Sequence, residues 1–366
     1  MPLTCGLVGL PNAGKSTLFR AITAAHAEIA PYPFTTIAPN VGVVRIPDPR
    51  LESIATLTQA SRIVPAALEL VDIAGLVRGA HKGEGLGNQF LARIREVDAI
   101  VQVVRCFAGP VAHAEGAVDP VRDIEIVETE LLLADLGTVE RGRAQVTPKA
   151  RTGDRAAREE DAILADLEAH LAGGRPARAF AAGSAAPEAA AHTVGRLHLL
   201  TARPVLYVAN VDDAASGPSP CLGAVERRAA AAGAQALGIS AKLELELSEL
   251  PEEEAAQFLS ALGLAERGLP RFARACQAVL GLRTFFSFAS GEVRAWPVPA
   301  GTRAPQAAGR IHTDMEHGFI RAEVIAYGDL AASGSVAAAR ERGLVRLEGK
   351  DYEVLDGDVI TFRFAA

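Results

Sequence analysis

The sequence is poor in aromatic residues, in closely spaced cysteines and in long uncharged apolar runs. Aromatic residues make up 5% of the 366 positions, so Val, Leu, Ile and Ala must supply most of any core. No uncharged apolar run reaches about 18 residues, which excludes a membrane-spanning helix and predicts no membrane partner. Cys5, Cys106, Cys221 and Cys276 lie far apart without CxxC spacing. This argues against a zinc site or a disulfide framework and predicts free thiols in a reducing cytoplasm.

Excess positive charge is lacking as well. The formal net charge is −7 at pH 7 and the isoelectric point is about 5.7. This disfavours a protein that works mainly by wrapping nucleic acid, although a local basic patch is compatible with it. The first residues, MPLTCGLVGLPNAGKST, lack the basic and then apolar pattern of a secretion signal. We therefore expect a cytoplasmic protein.

Short runs rich in Val, Ile and Leu recur along the chain. Because these runs are continuous rather than alternating, they predict strands that are covered on both faces, as in a parallel sheet. A helix is predicted at 15–25, and turns or helical stretches follow the strands, which is typical of repeated βα units. The predicted strands are 3–9, 41–46, 66–72, 98–106, 203–210 and 235–240.

The pattern changes twice along the chain. Residues 125–136 and 155–171 are helical in pattern and predict an antiparallel hairpin, whereas the small-residue stretch 173–193 predicts a flexible loop. From 282 onwards short alternating runs predict a β-rich domain, with two strands around a turn at Asp356-Gly357. The predicted domains are a nucleotide-binding domain (1–124 and 196–281), a helical insertion (125–195) and the β-rich domain (282–366).

The segment from Gly9 to Ser16, GLPNAGKS, fits the pattern GxxxxGK[ST] between a predicted strand and a predicted helix. Glycines let backbone N–H groups curl around an anion, and the helix N-terminus adds partial positive charge. Lys15 would reach the β- and γ-phosphates, and the hydroxyl of Ser16 would bind Mg²⁺. The predicted phosphate-binding residues are Asn12, Ala13, Gly14, Lys15, Ser16 and Thr17.

Two further segments extend this pattern. Asp72 ends a predicted strand and begins the motif DxxG, so it would hold Mg²⁺ through water, and the N–H of Gly75 would meet the γ-phosphate. Thr36, in the loop before the second strand, would complete the Mg²⁺ shell when triphosphate is bound. The sequence therefore predicts a phosphate-loop nucleoside triphosphatase (NTPase) of the G-protein-like, doubly wound α/β class.

The predicted base pocket lies after the fifth and sixth strands, at Asn210, Val211, Ser240, Ala241 and Lys242. GTPases usually have NKxD at the first of these places, whereas here Val211 replaces the lysine and Asp213 supplies the carboxylate. A carboxylate that faces the base favours guanine, but without the lysine the base could sit differently. The residues alone leave ATP and GTP open.

The source of catalysis is less evident. In Ras-like GTPases a Gln follows DxxG, and here Leu76 occupies that place and can orient no water. The segment 78–90 is glycine-rich and predicts a mobile switch, in which His81 and Lys82 are candidate helpers. His113 follows the fourth strand, where a loop histidine is usually simply exposed. Asn12 could help to bind K⁺ beside the phosphates as a fixed positive charge.

Taken together, these motifs resemble the Obg-like ATPase, or YchF, family of translation-factor GTPases. The matching segments are GLVGLPNAGKSTLF, PYPFTTIAPNVGVV, VDIAGLVRGAHKGEGLGNQFL, PVLYVANVDD and SAKLE. The resemblance implies ATP preferred over GTP, ribosome binding at the large subunit or the 70S particle, and a link to translation and stress. It also implies a C-terminal TGS-like domain and a catalytic role for His113, in addition to that of Lys15. Base contacts are implied for Asn210 and Val211.

The chain departs from this family in two places. Asp213 stands where the family usually has Glu, and the helical insertion looks shorter and richer in Ala. Three functions follow: an ATP-driven switch on the ribosome, the same switch driven by GTP, and a nucleotide-dependent binding module without turnover, which Leu76 favours. RNA contact by residues 282–366 is an expectation from the resemblance alone, because their basic and acidic residues nearly balance.

Overall fold

The structure is a computed structural model with two compact units. Unit 1 comprises Met1–Val43 and Glu69–Cys276, and unit 2 comprises Val44–Leu68 and Gln277–Ala366. Residues 44–68 therefore group with the C-terminal residues, although the sequence analysis placed them in the nucleotide-binding domain. The structure describes residues 3–25, 40–73, 79, 86–109, 113, 115–212 and 219–365.

The predicted strands are present within a residue or two of the expected bounds. In chain order the strands are β1 (Thr4–Val8), β2 (Val41–Ile46), β3 (Arg62–Val64), β4 (Ala66–Asp72), β5 (Ala99–Cys106), β6 (Val205–Val211), β7 (Gln235–Ile239), β8 (Leu282–Ala289), β9 (Glu292–Pro299), β10 (Phe319–Ala326), β11 (Arg346–Glu348) and β12 (Asp358–Phe364).

The helices follow in the same order. They are α1 (Lys15–Ala24), α2 (Pro49–Thr58), α3 (Leu86–Arg95), α4 (Pro120–Arg151), α5 (Arg155–Ala172), α6 (Pro187–Arg196), α7 (Pro220–Ala231), α8 (Ala241–Ser248), α9 (Glu252–Ala261), α10 (Gly268–Val279), α11 (Ala304–Ile311), α12 (Thr313–His317), α13 (Tyr327–Ser333) and α14 (Val336–Glu341). No helix in the described ranges is long and apolar enough to cross a membrane.

The first sheet has the strand order β2-β4-β1-β5-β6-β7. The pairs β1–β4, β1–β5, β5–β6 and β6–β7 are parallel, and every residue of β6 is buried. The chain moves from β1 to β4 on one side and continues from β5 on the other side, so the carboxyl ends of β1 and β5 flank a switch point of the topology. In open α/β sheets ligands bind at this place. The prediction of a doubly wound α/β sheet is confirmed.

The helical insertion is longer and more ordered than its sequence indicates. α4 and α5 pack together over a core that includes Val139, Leu164 and Leu167. The prediction of a flexible loop at 173–193 was wrong. This stretch contains short 3₁₀ turns and the beginning of α6, and Phe180 is buried in the same core. Alanine has the highest helix propensity and buries well, so an Ala-rich stretch next to an apolar surface can fold.

The second sheet, in the order β11-β10-β12-β8-β9-β3, forms unit 2 with its helices. Phe285 and Phe286 of β8 are fully buried and belong to the core of this unit. β3 pairs in parallel with β9. A short segment from early in the chain therefore completes a sheet whose other strands follow residue 281.

The predicted hairpin around Asp356-Gly357 was half wrong. Only its second half is a strand, namely β12. The carboxylate of Asp358 accepts hydrogen bonds from the backbone N–H of Leu355 at 2.9 Å and from the hydroxyl of Tyr352 at 2.6 Å. These bonds hold the preceding residues in an irregular loop and replace the ladder of a second strand.

Candidate functional site

The loop between β1 and α1 is shaped by residues in left-handed backbone conformations. Gly9, Asn12 and Gly14 have φ values of 149°, 62° and 93°. A Cβ atom at Gly9 would lie 2.4 Å from the carbonyl oxygen of Val103, and one at Gly14 would lie 2.0 Å from Nδ2 of Asn210. Only glycine fits at these two positions, because β5 and the end of β6 approach the loop so closely.

Lys15 begins α1 and turns back over this loop. Its Nζ donates to the carbonyl oxygens of Gly9 at 3.0 Å and Leu10 at 2.9 Å, and the residue is buried. Burial lowers the pKa of Lys15 to about 8, although the nearby charge of Asp72 works in the opposite direction. The preceding residue, Gly14, has no side chain to cap the helix. A cation and a helix N-terminus without a side-chain cap thus stand together, as an anion site requires.

The predicted metal ligands that the structure describes are Ser16 and Asp72. Ser16 is exposed in the first turn of α1, and Asp72 ends β4, where it is paired in register with Leu7 of β1. Burial raises the pKa of Asp72, and the charge of Lys15 opposes this. A hydroxyl and a carboxylate are oxygen ligands of the kind that Mg²⁺ takes. A nearby cation also stabilises the ionised form of a partly buried carboxylate. The residues therefore fit a Mg²⁺ ion.

Asn210 joins the phosphate loop to the loop after β7. Its Nδ2 donates to the carbonyl oxygen of Ala13 at 3.0 Å, and its Oδ1 accepts the backbone N–H of Ala241 at 3.0 Å. The residue is buried. The predicted role was contact with the base. In the structure both ends of the amide hold backbone groups, so Asn210 positions the two loops that meet at the end of the sheet.

The other predicted base-pocket residues differ in exposure. Val211 and Ala241 are buried, and Ser240 caps α8 and donates to the carbonyl oxygen of Asp212 at 3.1 Å. Lys242 is 82% exposed and pairs with Glu246 one turn along α8. The structure brings Asn210, Ser240 and Ala241 together, whereas the side chain of Lys242 lies in solvent.

Two residues of this region were missed by sequence reasoning. The carboxylate of Asp212 accepts the N–H of Ala108 at 2.8 Å and so fixes the loop after β5. The ring of Phe107 lies 3.6 Å from the position of a Cβ atom at Gly14, and the guanidinium of Arg105 covers the ring at 4.4 Å from its centroid. The signal that could have identified them is their place directly after β5 and β6, at the switch point.

His113 is not an exposed loop residue. Its Nε2 lies 2.6 Å from Oδ2 of Asp123, and its side chain is 4% exposed. Asp123 lies in the first turn of α4, and no pattern in the sequence marks it as a partner of His113. A buried histidine that contacts a buried carboxylate is a defined arrangement rather than a chance surface contact.

A disulfide corrects the prediction of four free thiols. Cys106 at the end of β5 is bonded to Cys221 in the first turn of α7, across 115 positions of sequence. Cys5 and Cys276 are buried free thiols. β5 and β6 are neighbours, and α7 follows β6, so the fold brings together two cysteines whose spacing gave no signal. Among the described residues no group of three or more His, Cys, Asp or Glu side chains is placed to hold a metal ion.

Several predicted positions lie outside the described residues. They are Thr36, Gly75, Leu76, His81, Lys82 and Asp213.

Comparison with known proteins identifies the family. The profile described as "50S ribosome-binding GTPase" matches residues 4–139, and the profile YchF-GTPase_C, described as "Protein of unknown function (DUF933)", matches residues 282–365. The chain is 50% identical over 368 residues to the Ribosome-binding ATPase YchF of Bacillus subtilis, with all of both chains covered. The chain belongs to the YchF family.

Other YchF proteins agree with this assignment along the whole chain. The Ribosome-binding ATPase YchF of Escherichia coli O157:H7 is 48% identical over 365 residues, covering 100% of this chain and 99% of that protein. The solved structure of the Schizosaccharomyces pombe YchF GTPase superposes with a TM-score of 0.87 at 35% identity, covering 99% and 98% of the two chains. The YchF fold, a phosphate-loop GTPase domain with a C-terminal β-rich domain, is thus that of this protein.

Proposed function

We propose that this protein is a Mg²⁺-dependent nucleoside triphosphatase that binds the ribosome and uses ATP in preference to GTP. The observation that carries the proposal is the arrangement of Lys15 over the Gly9–Gly14 loop, with Asp72 at the end of the adjacent strand. The bacterial relatives are named ribosome-binding ATPases, which supports the choice of nucleotide and partner. Such a role would place the protein in the cytoplasm.

The chemistry falls to a small set of residues. The backbone N–H groups of residues 12–17 would bind the phosphates, and Lys15 would stabilise the charge that develops on them in the transition state. Ser16, Asp72 and Thr36 would hold Mg²⁺, which neutralises phosphate charge when it is bound. The N–H of Gly75 would sense the γ-phosphate.

The base would lie between the loops that Asn210 joins. Val211 and the ring of Phe107 supply apolar surface there, and Ser240, Ala241 and Lys242 complete the wall that the sequence predicts. Hydrolysis would depend on His113, because Leu76 follows DxxG and offers no polar atom. K⁺ beside Asn12 is a further proposed aid to the transition state.

GTP is the second candidate substrate. Asp213 stands where the family usually has Glu, and its shorter carboxylate is the one that GTPases carry there. The fission-yeast relative is named a GTPase. A third candidate is a binding module with negligible turnover, which Leu76 supports.

One experiment separates these functions. ATP and GTP dissociation constants are measured by calorimetry with Mg²⁺, and the hydrolysis of each nucleotide is followed with and without ribosomes, in potassium and in sodium buffer. Tighter ATP binding and ribosome-stimulated ATP hydrolysis are expected. A clear GTP preference would favour the second candidate, and binding without turnover under every condition would favour the third. Equal rates in potassium and sodium would contradict the role of K⁺.

Ribosome binding is tested by sedimentation of the full chain with 30S, 50S and 70S particles. Recovery with 50S and 70S particles is expected. A loss of binding with rising salt would support RNA phosphate contact, as expected of residues 282–366, and insensitivity to salt would contradict it.

A further inference from the structure

Both ring nitrogens of His113 are occupied by groups of its own chain. The backbone N–H of Glu115 donates to Nδ1 at 3.0 Å, and Nε2 lies 2.6 Å from Oδ2 of Asp123. An N–H group can only donate, so Nδ1 carries the lone pair, and the ring proton sits on Nε2 and is donated to the carboxylate. With both nitrogens engaged and 4% of the side chain exposed, the ring has no free atom for a water molecule or a phosphate.

The carboxylate that holds the ring is itself firmly placed. Oδ1 of Asp123 accepts a hydrogen bond from Arg122 at 3.1 Å, and the residue is 4% exposed. It lies in the first turn of α4, which Asp119 caps and Pro120 begins. Hydrogen bonds to a charged group are stronger than those between neutral groups, so this contact dominates the orientation of His113.

A second acidic residue on the same helix contacts the segment that follows DxxG. Glu130 is buried, and its Oε1 accepts the backbone N–H of Gly79 at 2.7 Å. Asp123 and Glu130 are seven residues apart, which is two helical turns, so they lie on one face of α4. This single face therefore contacts both the proposed catalytic histidine and Gly79, a residue of the predicted switch.

The rest of α4 extends away from this face into the helical hairpin. Ile124 and Val127 pack in the core beside the first sheet, whereas Val139 packs in the hairpin core with Leu164 and Leu167. α4 is thus one continuous helix from the hairpin core to the turn that carries Asp123.

We propose that Asp123 is a positioning residue that holds His113 in a resting orientation, and that displacement of the first turns of α4 releases the ring. This inference rests on the proposed hydrolysis and on the part that His113 plays in it. Release breaks two hydrogen bonds and transfers no proton, and it frees the lone pair on Nδ1 for a water molecule. A ribosome that binds the hairpin and displaces α4 would raise the rate of ATP hydrolysis, because it would shift the population towards the released ring.

The first test is kinetic. Asp123→Ala is expected to raise ATP turnover without ribosomes about tenfold, the scale set by one lost hydrogen bond to a charged group. The further stimulation by ribosomes is expected to shrink by the same factor. Asp123→Asn keeps an acceptor oxygen and is expected to show a smaller rise. Glu125→Ala removes an equal charge from the exposed face of α4 and serves as the matched control.

The effect must pass through the histidine. In the His113→Ala background the substitution Asp123→Ala is expected to leave turnover unchanged from that of His113→Ala alone. A fall in turnover on Asp123→Ala would overturn the resting role and would indicate that the carboxylate supports catalysis directly. An equal rise in both backgrounds would overturn it in favour of a general loosening of the fold.

The second test does not depend on activity. ¹⁵N-histidine NMR of the full chain, with His113 assigned from the His113→Ala spectrum, is expected to show a ring protonated at Nε2 and not at Nδ1. Asp123→Ala should replace this signal with that of averaging tautomers. An unchanged signal would overturn the holding role, even if wild-type hydrolysis is established. If Asp123→Ala fails to melt cooperatively, Asp123→Asn supplies the kinetic readout, and wild-type turnover in that variant overturns the proposal.

Discussion

Asn210 and Ala13 lie 197 positions apart in the chain and share a hydrogen bond of 3.0 Å, which ties the end of β6 to the phosphate loop. Since the other end of the same amide binds the backbone of Ala241, one buried side chain sets the separation of two loops. Its removal leaves buried backbone groups without their partners, which is costly.

Asn210→Ala is expected to destabilise the fold by about 1–3 kcal/mol and to weaken nucleotide affinity, because the loops lose their common support. Thermal melting without nucleotide and calorimetry with Mg²⁺ and ATP measure the two effects. Glu249→Gln, a change at the exposed C-terminal end of α8, is the control. A variant with normal stability and lost affinity would instead point to direct contact with the base.

We expect Lys15 to take up a proton when nucleotide binds. Its pKa in the folded protein is about 8, so roughly three-quarters of the side chains are neutral at pH 8.5, and a bound triphosphate would draw the proton back. Calorimetry in buffers of different ionisation enthalpy is expected to show most of a proton taken up at pH 8.5 and little from this group at pH 7. Equal uptake at both pH values would contradict the lowered pKa.

The same group gives the protein an unusual dependence of stability on pH. The pKa of Lys15 falls from its ordinary value of 10.5 to about 8 on folding, so between these values the unfolded chain binds more protons. The contribution of Lys15 to stability therefore rises with pH from about 8 to about 10.5. Melting temperatures of wild type and Lys15→Met across this range should diverge, and parallel curves would argue against the burial effect.

The Cys106–Cys221 bond is expected to stabilise unit 1. In the chain-entropy treatment, closing a loop of this length is worth about 4–5 kcal/mol. Peptide mapping without reductant should recover the linked pair and find Cys5 and Cys276 as thiols. Reductant should lower the melting temperature of wild type and leave that of the Cys106→Ser, Cys221→Ser double variant unchanged, and two thiols at 106 and 221 in the oxidised sample would refute the bond.

The ion pair between Arg50 and Asp356 inside unit 2 is expected to weaken at acid pH. Arg50 donates to Oδ2 of Asp356 at 2.6 Å, and the N–H of Thr284 donates to Oδ1 at 2.8 Å. Burial pushes the pKa of Asp356 up, but these hydrogen bonds and the charge of Arg50 outweigh it and hold that pKa below its ordinary value of 3.8. The stabilisation is therefore present above about pH 4 and is lost as pH falls through the lowered pKa.

Asp356→Asn should flatten the acid limb of the stability curve, and Arg50→Gln should lower the melting temperature of unit 2 at pH 7. Lys350→Gln, which removes one exposed positive charge from the same unit, is the control. Equal losses in Arg50→Gln and Lys350→Gln would show that net charge, and not this contact, is responsible.

The first sheet was predictable because its strands are continuous Val, Ile and Leu runs, which indicate burial on both faces without tertiary information. The phosphate loop was predictable because its glycines and Lys15 recur at a fixed local spacing. Contacts between distant positions were not: β3 pairs with β9, Cys106 reaches Cys221, and His113 meets Asp123, and in each case only the topology brings the partners together.

The candidate site shows the same division. Sequence placed Lys15 and Ser16 at the start of the helix after β1 and Asp72 at the end of a neighbouring strand, and the structure puts them there. It also gave Asn210 a role in base recognition, which stays a prediction, and it did not show that the buried amide binds backbone on both sides. The direction of the Lys242 side chain depends on which face of α8 packs against the domain. A motif of three residues does not encode that.

The pairing of β3 with β9 restricts how the chain can be divided. A fragment that ends near residue 281 would retain β3 while lacking the strand that satisfies its backbone, and would thus carry an uncovered, sticky edge. A fragment that starts there would lack α2 and the guanidinium of Arg50, which lies 5.2 Å from the centroid of the Phe286 ring. Neither fragment made by a single cut near residue 281 contains all the partners it needs to fold. The two fragments should therefore be soluble and folded only when they are produced together.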